Sequence, residues 1–424
     1  MTRSFHNLYR NHLIRSKYLH TKRPILVNNW EATYFDFDDD KLVAIAKEAK
    51  KAGIEMLVLD DGWFGKRAND ECALGDWLVN EEKLKGGLKA LVERINGEGL
   101  KFGLWFEPEM ISPDSDLYRA HPDWAIQVPG REISMGRFQY VLDITRQEVV
   151  DYIYESVARI LRSANIEYVK WDMNRQITDI GSFALDSEHM GEFSHRYVLG
   201  LYQMQERLLQ EFPDLLLENC SGGGGRFDAG MLYYSPQIWT SDDMDPIERL
   251  SIQEGTALLY PLSTMGAHIC ACPNHSVGRT TPMETRAHVA LAGTFGYELD
   301  LTKLTEEEKK KATAFNQEYH KYNDLVREGD YYRLASYREN NMYDCWQVVS
   351  PDRSESLVTY VQARFEVMRK SRRLRLEGLD PKAAYRLEGT DQVFSGEMLM
   401  NAGYLQEMLR GDYGSVLLHF VKKD

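Results

Sequence analysis

The chain has 424 residues, 43% of them hydrophobic and 27% charged, a composition that excludes a disordered or collagen-like chain and leaves room for two to three domains at roughly 150 residues each. With 51 Lys and Arg against 65 Asp and Glu, the formal charge is −14, so the attraction that drives non-specific nucleic-acid binding is missing and no nucleic-acid partner is expected. No uncharged stretch nears the roughly 18 apolar residues of a membrane span, the opening MTRSFHNLYRNHLIRSKYLH lacks a signal peptide's apolar block, and five scattered cysteines make no disulfide framework; no membrane partner is expected, and the chain reads as cytoplasmic.

Residues 1–22 read as a connecting segment. Short apolar runs then alternate with amphipathic stretches. The runs predict strands at PILVNNW (24–30), MLVLDDGW (56–63), KFGLWFEPE (101–109), EYVKWDMN (167–174), LLLENCS (215–221), QIWTSDD (237–243), TMGAHIC (264–270) and GTFGYELD (293–300). Between them DDKLVAIAKEAKKAG predicts a helix, with Leu42, Ile45, Ala46 and Ala49 on one face and Gly53 as its stop. RQEVVDYIYESVARILRS and HRYVLGLYQMQERLLQEF have the same pattern, and KLTEEEKKKA reads as a helix N-terminus with a solvated face. Eight strand–helix units in about 300 residues predict a (β/α)8 TIM barrel over 23–328. An open doubly wound sheet ranks second, because no G-x-G-x-x-G follows the first strand. From Tyr331 the period changes to two in YYRLASY, YDCWQVVS, ESLVTYVQA, SRRLRLEGL, AAYRLEG and GSVLLHFV, which predicts a small antiparallel β-sandwich over 329–424.

A barrel carries its reactive groups at the C-terminal ends of the strands. The predicted ends hold Trp30; Asp60, Asp61 and Trp63; Trp105, Glu107 and Glu109; Lys170, Trp171, Asp172 and Asn174; Glu218, Asn219 and Cys220; Trp239, Asp242 and Asp243; His268; and Glu298. A single terminal Asp is commonly a helix cap, and a single Trp is commonly core. Carboxylates and tryptophans at so many ends together point instead to a site. There is no H-E-x-x-H, G-x-S-x-G or P-loop, and Cys270 and Cys272 form a C-x-C without a second thiol pair, so no metal and no cofactor are expected and carboxylates are the reactive groups. Aromatic faces suit the C–H surface of a sugar and carboxylates accept its hydroxyls, which makes a glycoside hydrolase the general reading. The run Gly222–Gly225 fits either an anion-binding nest or close backbone approach to a neutral sugar, and the second is preferred in the absence of a P-loop Lys. Glu107 and Glu109 are expected to support the site rather than react, and for His268 and Asn174 a structural role and substrate contact stay equally open.

LVLDDGWFG, GLWFEPEM, GRFQYVLD, YVKWDMNR, ENCSGGGGRFD and IWTSDDMDPIERL resemble the barrel of the family 36 glycoside hydrolases, the bacterial α-galactosidases, in order from about Arg23 to Asp300, and the following domain is similar to that family's C-terminal β-sandwich. The resemblance implies a retaining α-galactosidase acting on terminal α-linked galactose of melibiose- or raffinose-type oligosaccharides. It implies Asp172 as nucleophile and Asp242 as general acid/base, ahead of Asp243 and Asp245, with carboxyl groups about 5 to 5.5 Å apart. It assigns Asp60 and Asp61 to the sugar's C4 and C6 hydroxyls, with Arg137 and Lys170 as further hydroxyl partners and Asn174 beside them. Trp30, Trp105 and Trp239 would wall the pocket, and Cys220, Gly222 and Gly223 would line the C2 side. Lys170 is expected to hold Asp172 ionised, and Asp242, if enclosed by Trp239 and apolar neighbours, to hold its proton. Asp243, where the family more usually has Asn, is expected to push one pKa of the Asp242–Asp243 pair upward. The same fold implies two alternatives, an α-N-acetylgalactosaminidase, decided by room at C2, and a galactosyl-transferring enzyme; a non-catalytic glycan-binding barrel is the alternative of another class. Family members usually carry a β-domain ahead of the barrel. FHNLYRNHLIR is similar to the connection from it, and the chain is expected to lack most of that domain, which leaves a homo-oligomer open.

Overall fold

Each of the eight apolar runs forms a strand: β1 Leu26–Asn28, β2 Met56–Leu59, β3 Lys101–Phe106, β4 Tyr168–Trp171, β5 Leu216–Asn219, β6 Gln237–Trp239, β7 Met265–Cys270 and β8 Thr294–Glu298, in a computed structural model that describes residues 1–423. They close into a barrel in chain order, β1 lying between β2 and β8. Pairing is parallel, with Leu26 opposite Met56, Met56 opposite Lys101, Gly103 opposite Tyr168, Tyr168 opposite Leu216 and Glu218 opposite Gln237. Every residue of β1, β2 and β4 to β8 is buried. Strands covered on both faces read as continuous apolar runs instead of alternating ones. Gly103 is required where it stands, because a Cβ there would lie 2.6 Å from the Tyr168 ring. Without one, Tyr168 lies against β3 and its hydroxyl donates to Glu218 Oε1 at 2.8 Å.

The strands end earlier than the runs do. β2 stops at Leu59, β4 at Trp171 and β6 at Trp239, so the polar residues that follow leave the ladder and turn to one another. The predicted first helix spans Asp39–Ala52. Asp38 caps it by accepting the Lys41 N–H at 2.8 Å, Gly53 ends it in the left-handed region at φ 86°, and Leu42, Val43, Ile45, Ala46, Ala49 and Ala52 form its buried face. Between β3 and the helix Gln147–Ser163 lies a feature the apolar pattern did not predict, a short antiparallel pair of Met110–Ile111 with Tyr140–Val141.

By packing, the chain divides into two compact units. One holds Leu26–Trp239 and Glu298–Lys303, and the other holds Met1–Ile25, Thr240–Tyr297 and the residues from Leu304 onward. The first contains most of the predicted site. In the second, the N-terminal segment is helical over Thr2–Leu8 and docks through His6 Nε2 on the Ala257 carbonyl at 2.8 Å and the Tyr9 ring on Tyr260 at 5.2 Å. The helix Glu306–Glu328 starts in a capping box between Thr305 and Glu308. The C-terminal strands β9 Asp330–Ala335, β10 Tyr343–Val349, β11 Glu355–Gln362, β12 Ser371–Leu374, β13 Ala384–Leu387, β14 Val393–Ser395, β15 Tyr404–Glu407 and β16 Gly414–Lys422 form a six-stranded antiparallel sheet, β9-β10-β11-β16-β13-β14, and a second sheet of β12 and β15. Val358, Tyr360, Leu374, Leu376, Tyr385, Leu418 and Phe420 form the core they share. β10 and β11 are buried along almost their whole length, because their other face meets the helix Glu306–Glu328. Among the described residues no helix is long and apolar enough to cross a membrane.

Candidate active site

Asp60 and Asp61 leave β2 side by side and take different partners. Asp60 Oδ2 accepts from Asn28 Nδ2 at 2.6 Å and from Lys170 Nζ at 3.1 Å. Its backbone N–H donates to Asn29 Oδ1 at 2.8 Å, so the last residues of β1 and β4 hold it. Asp61 takes a two-pronged guanidinium: Arg67 Nε lies 3.0 Å from Oδ1 and Arg67 Nη2 lies 2.8 Å from Oδ2. Both carboxylates are buried. Burial pushes the Asp61 carboxyl up, and the Arg67 charge opposes it. Burial alone would lower the Lys170 ammonium, yet the Asp60 carboxylate carries it well above the ordinary lysine value. Lys170 also lies over the Trp239 ring, 5.6 Å from its centre. Lys170 gives its hydrogen bond to Asp60 and is drawn more weakly by the Asp172 charge.

Asp172 follows β4, its backbone N–H donating to the Phe106 carbonyl at 2.8 Å. Four N–H donors converge on its buried carboxylate. The backbone N–H groups of Met173 and Gly222 reach Oδ1 at 2.8 and 3.3 Å, and Trp105 Nε1 and Asn174 Nδ2 reach Oδ2 at 3.1 and 2.9 Å. Trp105 thus presents its N–H edge to the carboxylate, with its ring in a cluster with Phe64 and Trp77. Gly222 sits at φ 52° and Gly223 at φ 83°, a turn that L side chains rarely make and that aims the Gly222 N–H at Asp172. The glycine run acts here through its backbone.

Glu107 and Glu109 follow β3 on either side of Pro108. Glu109 is wholly occupied, accepting Trp171 Nε1 at 2.9 Å, the Tyr197 hydroxyl at 2.7 Å and Arg226 through both amino groups at 2.9 and 3.0 Å. Glu107 Oε1 accepts Gln139 Nε2 at 2.8 Å and the Asn174 backbone N–H at 2.5 Å. Asn174 therefore ties Glu107 to Asp172, through its main chain on one side and its amide on the other. Burial first, and then the Asp172 charge, push the Glu107 carboxyl up to about 8.

Of the remaining predicted residues, Trp30 opens the short helix Trp30–Thr33, half-buried, and its N–H donates to Asn28 Oδ1 at 2.8 Å. Cys220 is buried, and its N–H donates to the Trp171 carbonyl at 2.7 Å. Arg137 stands apart from the network, exposed at φ 52° on the turn that pairs Gly136 with Gln139. Asp242 lies three residues past β6 and is exposed, which corrects the expected apolar enclosure. Asp243 Oδ1 accepts the Asp245 N–H at 3.0 Å. Asp245 is buried, caps the helix Pro246–Ala257 and pairs with Arg279, which removes it as a rival acid. His268 is buried in β7.

Sequence reasoning missed Arg67, Asn28 and Gln139. Asn28 ends β1 as a polar residue after an apolar run, a signal that could have been taken up. Arg67 and Gln139 come from irregular connections whose course no periodicity predicts.

The Melibiase family model matches residues 1–329, and the Glycosyl hydrolase family 36 C-terminal domain model matches residues 343–420. Alpha-galactosidase AgaA of Geobacillus stearothermophilus is 52% identical over 420 residues, covering 98% of this chain and 57% of its own length. Alpha-galactosidase Mel36A of Lactobacillus acidophilus is 47% identical over 420 residues, covering 99% and 57%. The crystal structure of AgaA matches with a TM-score of 0.97 at 51% identity, over 100% of this chain and 59% of that one. A variant of AgaA in complex with raffinose matches with a TM-score of 0.98 at 50% identity over the same shares. The chain spans under two thirds of the length of these relatives. With the barrel and the C-terminal sheets both matched over nearly their full extent, the chain belongs to glycosyl hydrolase family 36, the melibiase family.

Proposed function

We propose that this chain carries the catalytic machinery of a retaining α-galactosidase that removes terminal α-linked galactose from melibiose- and raffinose-type oligosaccharides. The observation that carries the reading is the Asp172 carboxylate, buried at the end of β4 and oriented by four N–H donors. The names of the relatives, and the raffinose bound to one of them, support the substrate class. In this reading Asp172 attacks the anomeric carbon while Asp242 gives its proton to the departing oxygen, leaving a galactosyl ester on Asp172. Water then attacks the ester, Asp242 takes its proton, and two inversions restore the starting configuration. Asp60 and Asp61 accept sugar hydroxyls with orientations preset by Lys170 and Arg67, and Trp30 and Trp239 offer ring faces to the C–H surface. We assign the barrel to 23–328 and the sandwich to 329–424.

The test is turnover of an aryl α-galactoside against its N-acetylgalactosamine counterpart, with an Asp172→Ala variant given azide. The expected results are hydrolysis of the galactoside and, in the variant, a galactosyl azide inverted relative to the substrate. Preference for the N-acetylated substrate would reassign the sugar. Transfer to a second sugar in place of water would make the enzyme a transferase. Absence of turnover by folded protein would reduce the barrel to a glycan binder and overturn the proposal.

A further inference from the structure

Charge bookkeeping around Asp172 leaves a remainder. Five acidic side chains are buried together at the ends of β2, β3 and β4: Asp60, Asp61, Glu107, Glu109 and Asp172. Three cations lie among them, and each is committed, Lys170 to Asp60, Arg67 to Asp61 and Arg226 to Glu109. Glu107 and Asp172 thus have no ammonium or guanidinium bonded to them, yet share a neighbour. The Asn174 main chain donates to one and its side chain to the other, at 2.5 and 2.9 Å. Two like charges held this close in a buried place do not both persist. Which group keeps the charge follows from the donors. Both oxygens of Asp172 are met, by four N–H groups, whereas Glu107 takes the Gln139 amide and the Asn174 main chain on Oε1 alone, with the Asn174 side chain as its remaining donor, so the less fully met carboxyl, Glu107, carries the proton.

We propose that Glu107 is a positioning residue of the reaction: it holds the one proton of the Glu107–Asp172 pair, so that Asp172 keeps the charge, and it fixes Asn174 against the nucleophile. The proposal rests on Asp172 being the nucleophile. The charged groups facing Glu107 are Asp172, from the connection after β4, and Arg67, from the connection after β2. Asp172 favours the proton on Glu107 and Arg67 opposes it. When Asp172 becomes a glycosyl ester its charge disappears and this hold on the proton weakens, returning when water frees the carboxylate. The pair therefore retains one dissociable proton through the cycle, and the nucleophile regains its charge at each turnover with no cation bonded to it, Lys170 and Arg226 acting on it only through space.

Infrared difference titration of the full chain tests this, each protein also carrying Asp344→Asn so that the Asp344 carboxyl, raised to about 7, adds no band. Wild type is expected to show the carbonyl band of a buried protonated carboxyl at neutral pH and to lose it as the pH rises through about 8. Glu107→Gln should lack that band. Asp172→Asn, which removes the neighbouring charge and keeps the shape, should keep the band but lose it at lower pH. A structural role for Glu107 alone would leave the band's titration the same in Asp172→Asn. No such band in neutral wild type, or its persistence in Glu107→Gln, would overturn the proposal, and the wild-type and Asp172→Asn titrations decide it even where Glu107→Gln does not fold. Azide trapping by Asp172→Ala reads the nucleophile separately. If no galactosyl azide forms, the functional reading fails; if it forms but the band does not respond to Asp172, only this proposal fails.

Discussion

Arg67 shows how much of this site depends on side chains that touch no strand. Its guanidinium meets both oxygens of Asp61 while Nη1 donates to the Cys72 carbonyl at 2.9 Å, so one residue ties the Asp61 carboxylate, proposed to accept a sugar hydroxyl, to the loop at Cys72. Removing one partner of a buried ion pair leaves the other charge unpaired, typically at about 3 to 5 kcal/mol. Arg67→Met is therefore expected to lower the melting temperature, and in the protein that remains folded Asp61 takes up a proton and ceases to be a hydroxyl acceptor. On an aryl α-galactoside, KM should rise at least about tenfold, about 1.4 kcal/mol of lost binding, with a smaller change in kcat. An unchanged KM in folded Arg67→Met would separate Asp61 from the substrate. The chain positions of Asp60, Asp61, Asp172 and Lys170 could be read from strand ends, because a barrel dictates where its strands point. Their pairing could not, because Lys170 lies within reach of both Asp60 and Asp172, and tertiary geometry settles which it bonds.

At the scale of elements, the eight strands were readable because burial on both faces demands unbroken apolar runs, and the first helix because Asp38 and Gly53 mark its ends. The pair Met110–Ile111 and Tyr140–Val141 escaped notice because two residues are too few to show a period. That pair nevertheless brings Gln139 to Glu107. The contact between β3 and β4 at Gly103 links fold to chemistry most directly. An Ala Cβ there meets the Tyr168 ring at 2.6 Å and Val58 at 3.0 Å, and overpacking of this kind costs about 1 to 3 kcal/mol. β4 carries both Lys170 and, just past its end, Asp172. Gly103→Ala should thus lower kcat as well as stability, and Gly103→Ala combined with Tyr168→Phe should recover neither, since the ring that clashes remains. Gly103→Ala with Tyr168→Ala should relieve the clash, but it leaves a cavity and deprives Glu218 of its hydroxyl donor. Melting curves and kcat for the three variants check the order; full activity in Gly103→Ala would show that the strands yield without moving the site.

Across the molecule, stability depends on ionisable groups that have nothing to do with catalysis, and they pull in opposite directions with pH. His6 and His288 are each lowered to about 4, chiefly by burial. Their contribution is present above the unfolded value of about 6.5 and is lost as the pH falls from there to about 4. Asp344, in β10, is raised to about 7, first by burial and further by the charge of Glu254. Its contribution is present below the unfolded value of about 3.9 and is lost as the pH rises through 7. Integrated over that span, ionising Asp344 weakens the fold by about 4 kcal/mol. Asp344→Asn removes the charge and keeps an oxygen for the Tyr337 N–H that Asp344 Oδ2 now accepts at 2.9 Å. The variant should therefore melt well above wild type at pH 8, with the gap closing as the pH falls toward 4. In the variant the two histidines act unopposed, so its melting temperature should fall more steeply on acidification than that of wild type. A gap between the two proteins that stays constant from pH 4 to 8 would mean that Asp344 is already ionised in the fold, with its charge met by Arg333 across Glu254.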